Sequence, residues 1–218
     1  MRTVTVVSFL FVLLWFQGTP IGASAEEYPA PRDRVRILFL GDSLTAGYGV
    51  GFNSAYPALV EKELRQNGYN IKVQNAGVSG DTTAGGLRRL NWLLKQKFDA
   101  LFLALGANDA LRGLPPLRTK ENLRAIIAQT RKTYPQVRIV LAGMKCPPSM
   151  GEEYCSQFDP IYEQLHVQEK VILMPFLLEG VAGEPTLNLP DRIHPNVTGH
   201  AQIAKRVSPF FRIVPPAG

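Results

Sequence analysis

The sequence is poor in the residue types that hold metals and relay protons. It has two cysteines and three histidines in 218 residues, and two cysteines alone make no zinc site. Neither a P-loop nor a Gly-x-Gly-x-x-Gly occurs, which removes two common phosphate cradles. No basic run is interleaved with aromatics, so nucleic acid is not an expected partner. The basic residues are scattered, as in Arg88-Arg89, Lys95 and Lys97, Arg131-Lys132 and Lys205-Arg206, the pattern of solvated helical faces. Beyond the amino terminus, no apolar run approaches the ~20 residues of a membrane span. A composition of 45% hydrophobic and 19% charged residues excludes a disordered chain and fits an ordinary globular one.

The amino terminus differs from the rest. Arg2 precedes a mostly apolar stretch, Val4 to Phe16, followed by Gln17, Gly18 and Pro20 and then Ala-Ser-Ala at 23–25. This is the three-part pattern of a secretory leader. The expected organisation is a cleaved signal peptide over 1–25, a lead-in over 26–34 and one domain over 35–214, with no stable membrane span after cleavage. An uncleaved anchor is the alternative, and the apolar stretch is short for one. The expected location is periplasmic or secreted. In such a compartment Cys146 and Cys155 can form a disulfide across "CPPSMGEEYC"; two free thiols are the other reading. Closing so short a loop contributes about 2.5–3 kcal/mol by the chain-entropy estimate, less any strain.

Strand and helix patterns alternate through the remainder. Apolar runs at Val35–Leu40, Ile71–Val73, Ala100–Leu105, Val137–Ala142 and Val171–Met174 read as five strands. Helical spacing over 55–66, 83–97, 119–134, 160–168 and 197–211 reads as five helices. Strands apolar throughout and separated by amphipathic helices predict an α/β fold: a three-layer α/β/α sandwich around a mostly parallel five-stranded, flavodoxin-like sheet. Ligands of such folds bind outside the carboxyl ends of the strands.

That edge carries the chemistry-bearing residues. In "RILFLGDSLTAGYG" a buried strand ends on Asp42 and Ser43, which either cap the next helix or present a nucleophile. Of the three histidines, His166 lies in a helix pattern without a well-placed acid, and His200 lies on the last helix as a surface or packing residue. His194 sits in "LPDRIHPN", three residues after Asp191 and before Pro195, which disfavours helical geometry there. A short loop would let Asp191 orient the imidazole and leave Nε2 to take the Ser43 proton. Taken alone, Asp-x-x-His also fits a helix entrance capped by Asp191. Two further segments follow strands two and three. "AGVSGDTTAGG" offers the N–H of Gly80, and "LGANDALRG" offers the amide of Asn108, as donors to an oxyanion.

The blocks "GDSLTAGYG", "NAGVSGDTTAGGLRRL", "LGANDALRG" and "DRIHPN", in this order, resemble the four sequence blocks of the GDSL, or SGNH, hydrolases. The likeness runs from Val35 to about Phe211 and is greatest to the small exported arylesterase, lysophospholipase and acyl-CoA thioesterase branch. It implies Ser43 as nucleophile, His194 as base and Asp191 as its partner. It also implies an oxyanion site made of the N–H of Ser43, the N–H of Gly80 and the side chain of Asn108. The implied reaction is hydrolysis of a small acyl ester or thioester, lysophospholipids among them, with no cofactor and no metal. Asp42 and Asp109 are expected to brace the loops. Asp42, Leu44, Leu114, Pro115, Met144, Tyr154 and Ile193 are candidate pocket residues. A carbohydrate-ester deacetylase and a non-catalytic ligand-binding module on the same fold are the competing readings.

Overall fold

The computed structural model describes residues 34–212. The expected leader, and all of the lead-in except Arg34, lie outside the described residues. Five strands form one sheet: β1 (Val35–Gly41), β2 (Ile71–Gly77), β3 (Ala100–Ala104), β4 (Arg138–Ala142) and β5 (Ile172–Met174). Their spatial order is β2-β1-β3-β4-β5, and all four pairings are parallel. Eight α-helices accompany them among the described residues: α1 (Ser43–Ala46), α2 (Tyr56–Gln66), α3 (Thr83–Leu93), α4 (Ala107–Leu111), α5 (Pro116–Thr133), α6 (Glu152–Phe158), α7 (Ile161–Glu169) and α8 (Val197–Val207).

The layers follow from strand order and handedness. The chain steps one way from β1 to β2, then back across β1 to β3, β4 and β5. Right-handed crossovers therefore put α2 on one face and α3, α5 and α7 on the other. The observed packing agrees, since α2 lies against α8, α3 against α5, and α5 against α7. Phe39 and Phe102, register partners across β1 and β3, meet Tyr56 of α2 and Phe211 beyond α8 in an aromatic cluster. Leu38, Leu40, Leu101 and Leu103, at the alternate strand positions, are fully buried as well. A sheet covered on both faces needs the unbroken apolar strands seen in the sequence.

Several boundaries differ from the sequence expectation. β2 runs to Gly77 because its second half pairs with β1, although Gln74 and Asn75 break the apolar pattern. α3 stops at Leu93 rather than Lys97, and Trp92, on its last turn, is exposed. α8 ends at Val207, and a 3₁₀ turn over Ser208–Phe211 completes the segment. The short helices α1, α4 and α6 carry too few turns to show a period. No helix among the described residues is long and apolar enough to cross a membrane.

Candidate active site

Strand order reverses between β1 and β3, and a ligand crevice opens at such a point. Ser43 follows β1 and Asn108 follows β3, so the two segments flank the reversal. Ser43 is the first residue of α1. Asp42 caps this helix, its Oδ1 accepting the Leu44 N–H at 3.0 Å. As the first helical residue, Ser43 has no intrahelical acceptor for its own N–H. Two contacts hold α1 in place: Asn75 donates to the Thr45 carbonyl at 2.8 Å, and the Thr45 and Tyr56 hydroxyls share a 2.7 Å bond. The backbone of α1 rests on the end of β2, where a Cβ on Gly77 would fall 2.2 Å from the Ala46 nitrogen.

Asp191 and His194 lie in a tight loop before α8. The loop closes through the Leu189 N–H on the His194 carbonyl at 2.7 Å and an antiparallel bridge between Asn188 and Pro195. Asp191 Oδ1 accepts the N–H groups of Ile193 and His194 at 2.9 and 3.0 Å, and Oδ2 faces His194 Nδ1 at 2.7 Å. These bonds, the His194 N–H first among them, hold the Asp191 carboxyl down at about 2. It is therefore ionised across the neutral range and keeps the imidazole proton on Nδ1. His194 Nε2 is then an acceptor, and it lies 2.9 Å from Ser43 Oγ across 151 residues of sequence. Tyr48, half exposed, packs its ring against His194 at 4.5 Å between centroids. The other two histidines are engaged elsewhere. His200 is buried and accepts the Tyr56 N–H at 3.2 Å, and burial pushes its imidazole down to about 4. His166 meets the Val171 carbonyl.

Gly80 has a positive φ of 78°, and its N–H has no acceptor among the described residues. Its carbonyl accepts Arg112 Nη2 at 2.8 Å. Asn108 Nδ2 donates to the Asp81 carbonyl at 3.0 Å and to Asp42 Oδ2 at 3.3 Å. Asp42 has no exposed surface, and burial raises its carboxyl from 3.8 to about 7 against the opposing Leu44 hydrogen bond. Asp109 is equally enclosed and accepts from the Thr83 N–H and from the Thr83 and Thr119 hydroxyls, which links α3, α4 and α5.

The expected pocket residues divide. Ile193 and Pro115 are exposed and Leu114 and Tyr154 half-buried. Asp42, Leu44 and Met144 are buried at 0%, 4% and 3% exposure. Leu44 and Met144 belong to the hydrophobic core cluster, and Asp42 is engaged by the Leu44 N–H and the Asn108 amide. Tyr154 donates to the Leu114 carbonyl at 2.6 Å, and Met150 Cε would touch a Cβ on Gly113 at 3.2 Å. The segment bridged by the Cys146–Cys155 disulfide thus packs on the loop after α4. A concavity of about 730 Å³ lies elsewhere, along β1 and β2 beside Arg36, Lys72, Lys95 and Lys97; chemistry, not volume, picks out the site. Arg89, grouped above with solvated basic pairs, is instead largely buried and bonded to Asp81. Its sequence context, one half of an Arg-Arg pair on an amphipathic helix, carries no signal of this.

A serine, a histidine and an ionised aspartate in hydrogen-bonded series, at the switch point of a parallel sheet, define a hydrolase of the serine class. The sequence comparisons specify which. The model of the GDSL-like Lipase/Acylhydrolase family matches residues 39–202. Esterase TesA of Pseudomonas aeruginosa is 37% identical over 177 residues, 81% of this chain and 87% of that one. The Escherichia coli K12 protein named Thioesterase 1/protease 1/lysophospholipase L1 is 38% identical over 73% of this chain and 75% of its own. The crystal structure of the psychrotrophic esterase EstA from a Pseudoalteromonas species, inhibited by monoethylphosphonate, superposes with a TM-score of 0.77 at 30% identity, covering 81% of this chain and 96% of that one. The chain belongs to the GDSL-like lipase/acylhydrolase family and is a serine hydrolase of ester bonds.

Proposed function

We propose that this chain is an exported esterase acting on small acyl esters and thioesters through an acyl-enzyme on Ser43. The 2.9 Å contact between Ser43 Oγ and His194 Nε2 carries the proposal, because it joins a hydroxyl to a base already oriented by a carboxylate. Ser43 attacks the carbonyl while His194 takes its proton, and Asp191 stabilises the imidazolium. The oxyanion is met by the N–H groups of Ser43 and Gly80 and by the Asn108 amide. The longer Asn108 contact, to Asp42, is the one the oxyanion displaces. The alcohol or thiol departs with the proton from His194. A water activated by the same ring then releases the acid, and the cycle needs no metal or organic cofactor. The names of the relatives bring thioesters and lysophospholipids into the substrate range. The Leu114–Pro115 loop, Tyr154 and Ile193 border the acyl chain.

Ser43→Ala is expected to remove hydrolysis of a short p-nitrophenyl ester, and labelling by a fluorophosphonate, while the melting temperature stays near that of the parent. A purified variant that turns over at the parental rate ends the proposal. A panel spanning acetylated sugars and medium-chain acyl esters separates this activity from carbohydrate deacetylation.

A further inference from the structure

Arg89 lies on α3, and its polar partners are Asp81 and Gly41, none of the Ser43–His194–Asp191 series. Its side chain is 23% exposed and that of its partner Asp81 is 11% exposed. Nε donates to Asp81 Oδ2 at 2.7 Å, and Nη2 donates to the main-chain carbonyl of Gly41 at 3.0 Å. Gly41 ends β1 two residues before Ser43, and Asp81 directly follows Gly80. One guanidinium therefore ties the segment bearing Ser43 to the segment bearing Gly80. The tie reaches a third segment, because the Asp81 carbonyl accepts Asn108 Nδ2 at 3.0 Å.

The seat of Asp81 is narrow. A Cβ on Gly85 would fall 1.6 Å from Asp81 Oδ1, so the carboxylate uses the space that glycine leaves at the start of α3. The three oxyanion donors follow three different strands. Between the segments of Ser43 and Gly80, the sheet end itself supplies the Val78 N–H on the Gly41 carbonyl at 3.1 Å. Arg89 adds a charged, two-pronged connection. A planar guanidinium serves two acceptors at fixed angles; a lysine ammonium is a single point on a flexible stem.

We propose that Arg89 is a positioning residue for the oxyanion site: by holding Asp81 and Gly41 together it sets the spacing of the donors at Ser43, Gly80 and Asn108. It does not touch substrate, so its loss lowers turnover and leaves ester binding nearly unchanged. The proposal rests on the assignment of those three donors. A partly buried ion pair is weak evidence for stability in itself, so its placement between the end of β1 and the loop after β2 is read as geometry.

The test compares Arg89→Gln, Arg89→Lys and Asp81→Asn with Asn108→Ala. It reads kcat, KM and melting temperature on one short p-nitrophenyl ester, and the rate of inactivation by a p-nitrophenyl phosphonate. A donor displaced by about 1 Å costs on the order of 10²-fold. Arg89→Gln is expected to lose kcat by roughly that factor, with KM within about threefold, and phosphonylation should slow in parallel. Arg89→Lys should recover only part of the loss, and Asp81→Asn should show the same kcat-weighted defect if Arg89→Gln does not fold. Unchanged kcat in the Arg89 and Asp81 variants beside a large loss in Asn108→Ala overturns the role of Arg89 and leaves the donor assignment standing. Unchanged kcat in all of them overturns the donor assignment itself. A rise in KM alone, or a kcat loss explained by the unfolded fraction, also overturns the proposal.

Discussion

Asp42 is the residue whose surroundings fit its charge least. It is fully buried, caps the helix that carries Ser43 and accepts from Asn108. Its carboxyl titrates near 7 in the folded chain against an ordinary 3.8. Between those values the folded state holds a proton that the unfolded state has lost. The stabilisation linked to Asp42 is thus complete below about 4 and disappears as pH rises through 7. His200 runs in the opposite sense, at about 4 against 6.5, so its contribution is lost on acidification. Comparing Asp42→Asn with the parent cancels His200 and isolates the carboxyl. The melting temperature of the variant, relative to the parent, should rise steadily from pH 4 to pH 7 and then level off. A difference that stays constant over this range contradicts the assignment. Legibility also varied at this scale. Ser43, Asp191 and His194 stood out because hydroxyl, acid and base are meaningful types and histidine is scarce. Arg89 did not, because an arginine has the same neighbours in sequence whether it meets water or a buried carboxylate.

At the scale of elements, strands and long helices were readable and their connections were not. β1, β3 and β4 are apolar at almost every position because both faces are covered. α5, with Leu123, Ile126 and Ile127 inward, repeats the helical period over 18 residues. Four-residue α1 and five-residue α4 show no period, yet they carry Ser43 and Asn108. The Tyr154 hydroxyl of α6, on the Leu114 carbonyl, joins the disulfide-bridged segment to the loop after α4, the two proposed to border the acyl chain. Tyr154→Phe removes that bond and keeps the ring. One hydrogen bond is worth about 0.5–1.5 kcal/mol, so the ratio of medium-chain to short-chain kcat/KM should move by about 2- to 10-fold. An unchanged chain-length profile across p-nitrophenyl esters removes these loops from the acyl site.

For the whole molecule, two distant features accord with the proposed export. Residues 1–25 carry a leader pattern, and Cys146 and Cys155 are joined as oxidising surroundings allow. Under the proposed export the mature chain is expected to begin at Glu26, as read by intact mass and N-terminal sequencing. Reduction should cost about 2.5–3 kcal/mol, less any strain, in denaturant unfolding. An exported chain retaining Met1, or unfolding curves indifferent to reductant, counts against this organisation.

The sequence by itself determined the alternation of strand and helix, and with it the layered fold. Burial on two faces and on one face leave different local periods. It also supplied the candidate chemistry in four short blocks. Only the tertiary structure decided that Ser43 and His194, 151 residues apart, meet at 2.9 Å. It alone decided that Met144 and Leu44 face the core, and that Arg89 joins the end of β1 to the loop after β2. Those contacts depend on how separate segments are placed in space, and spatial distance leaves no mark on neighbours in the chain.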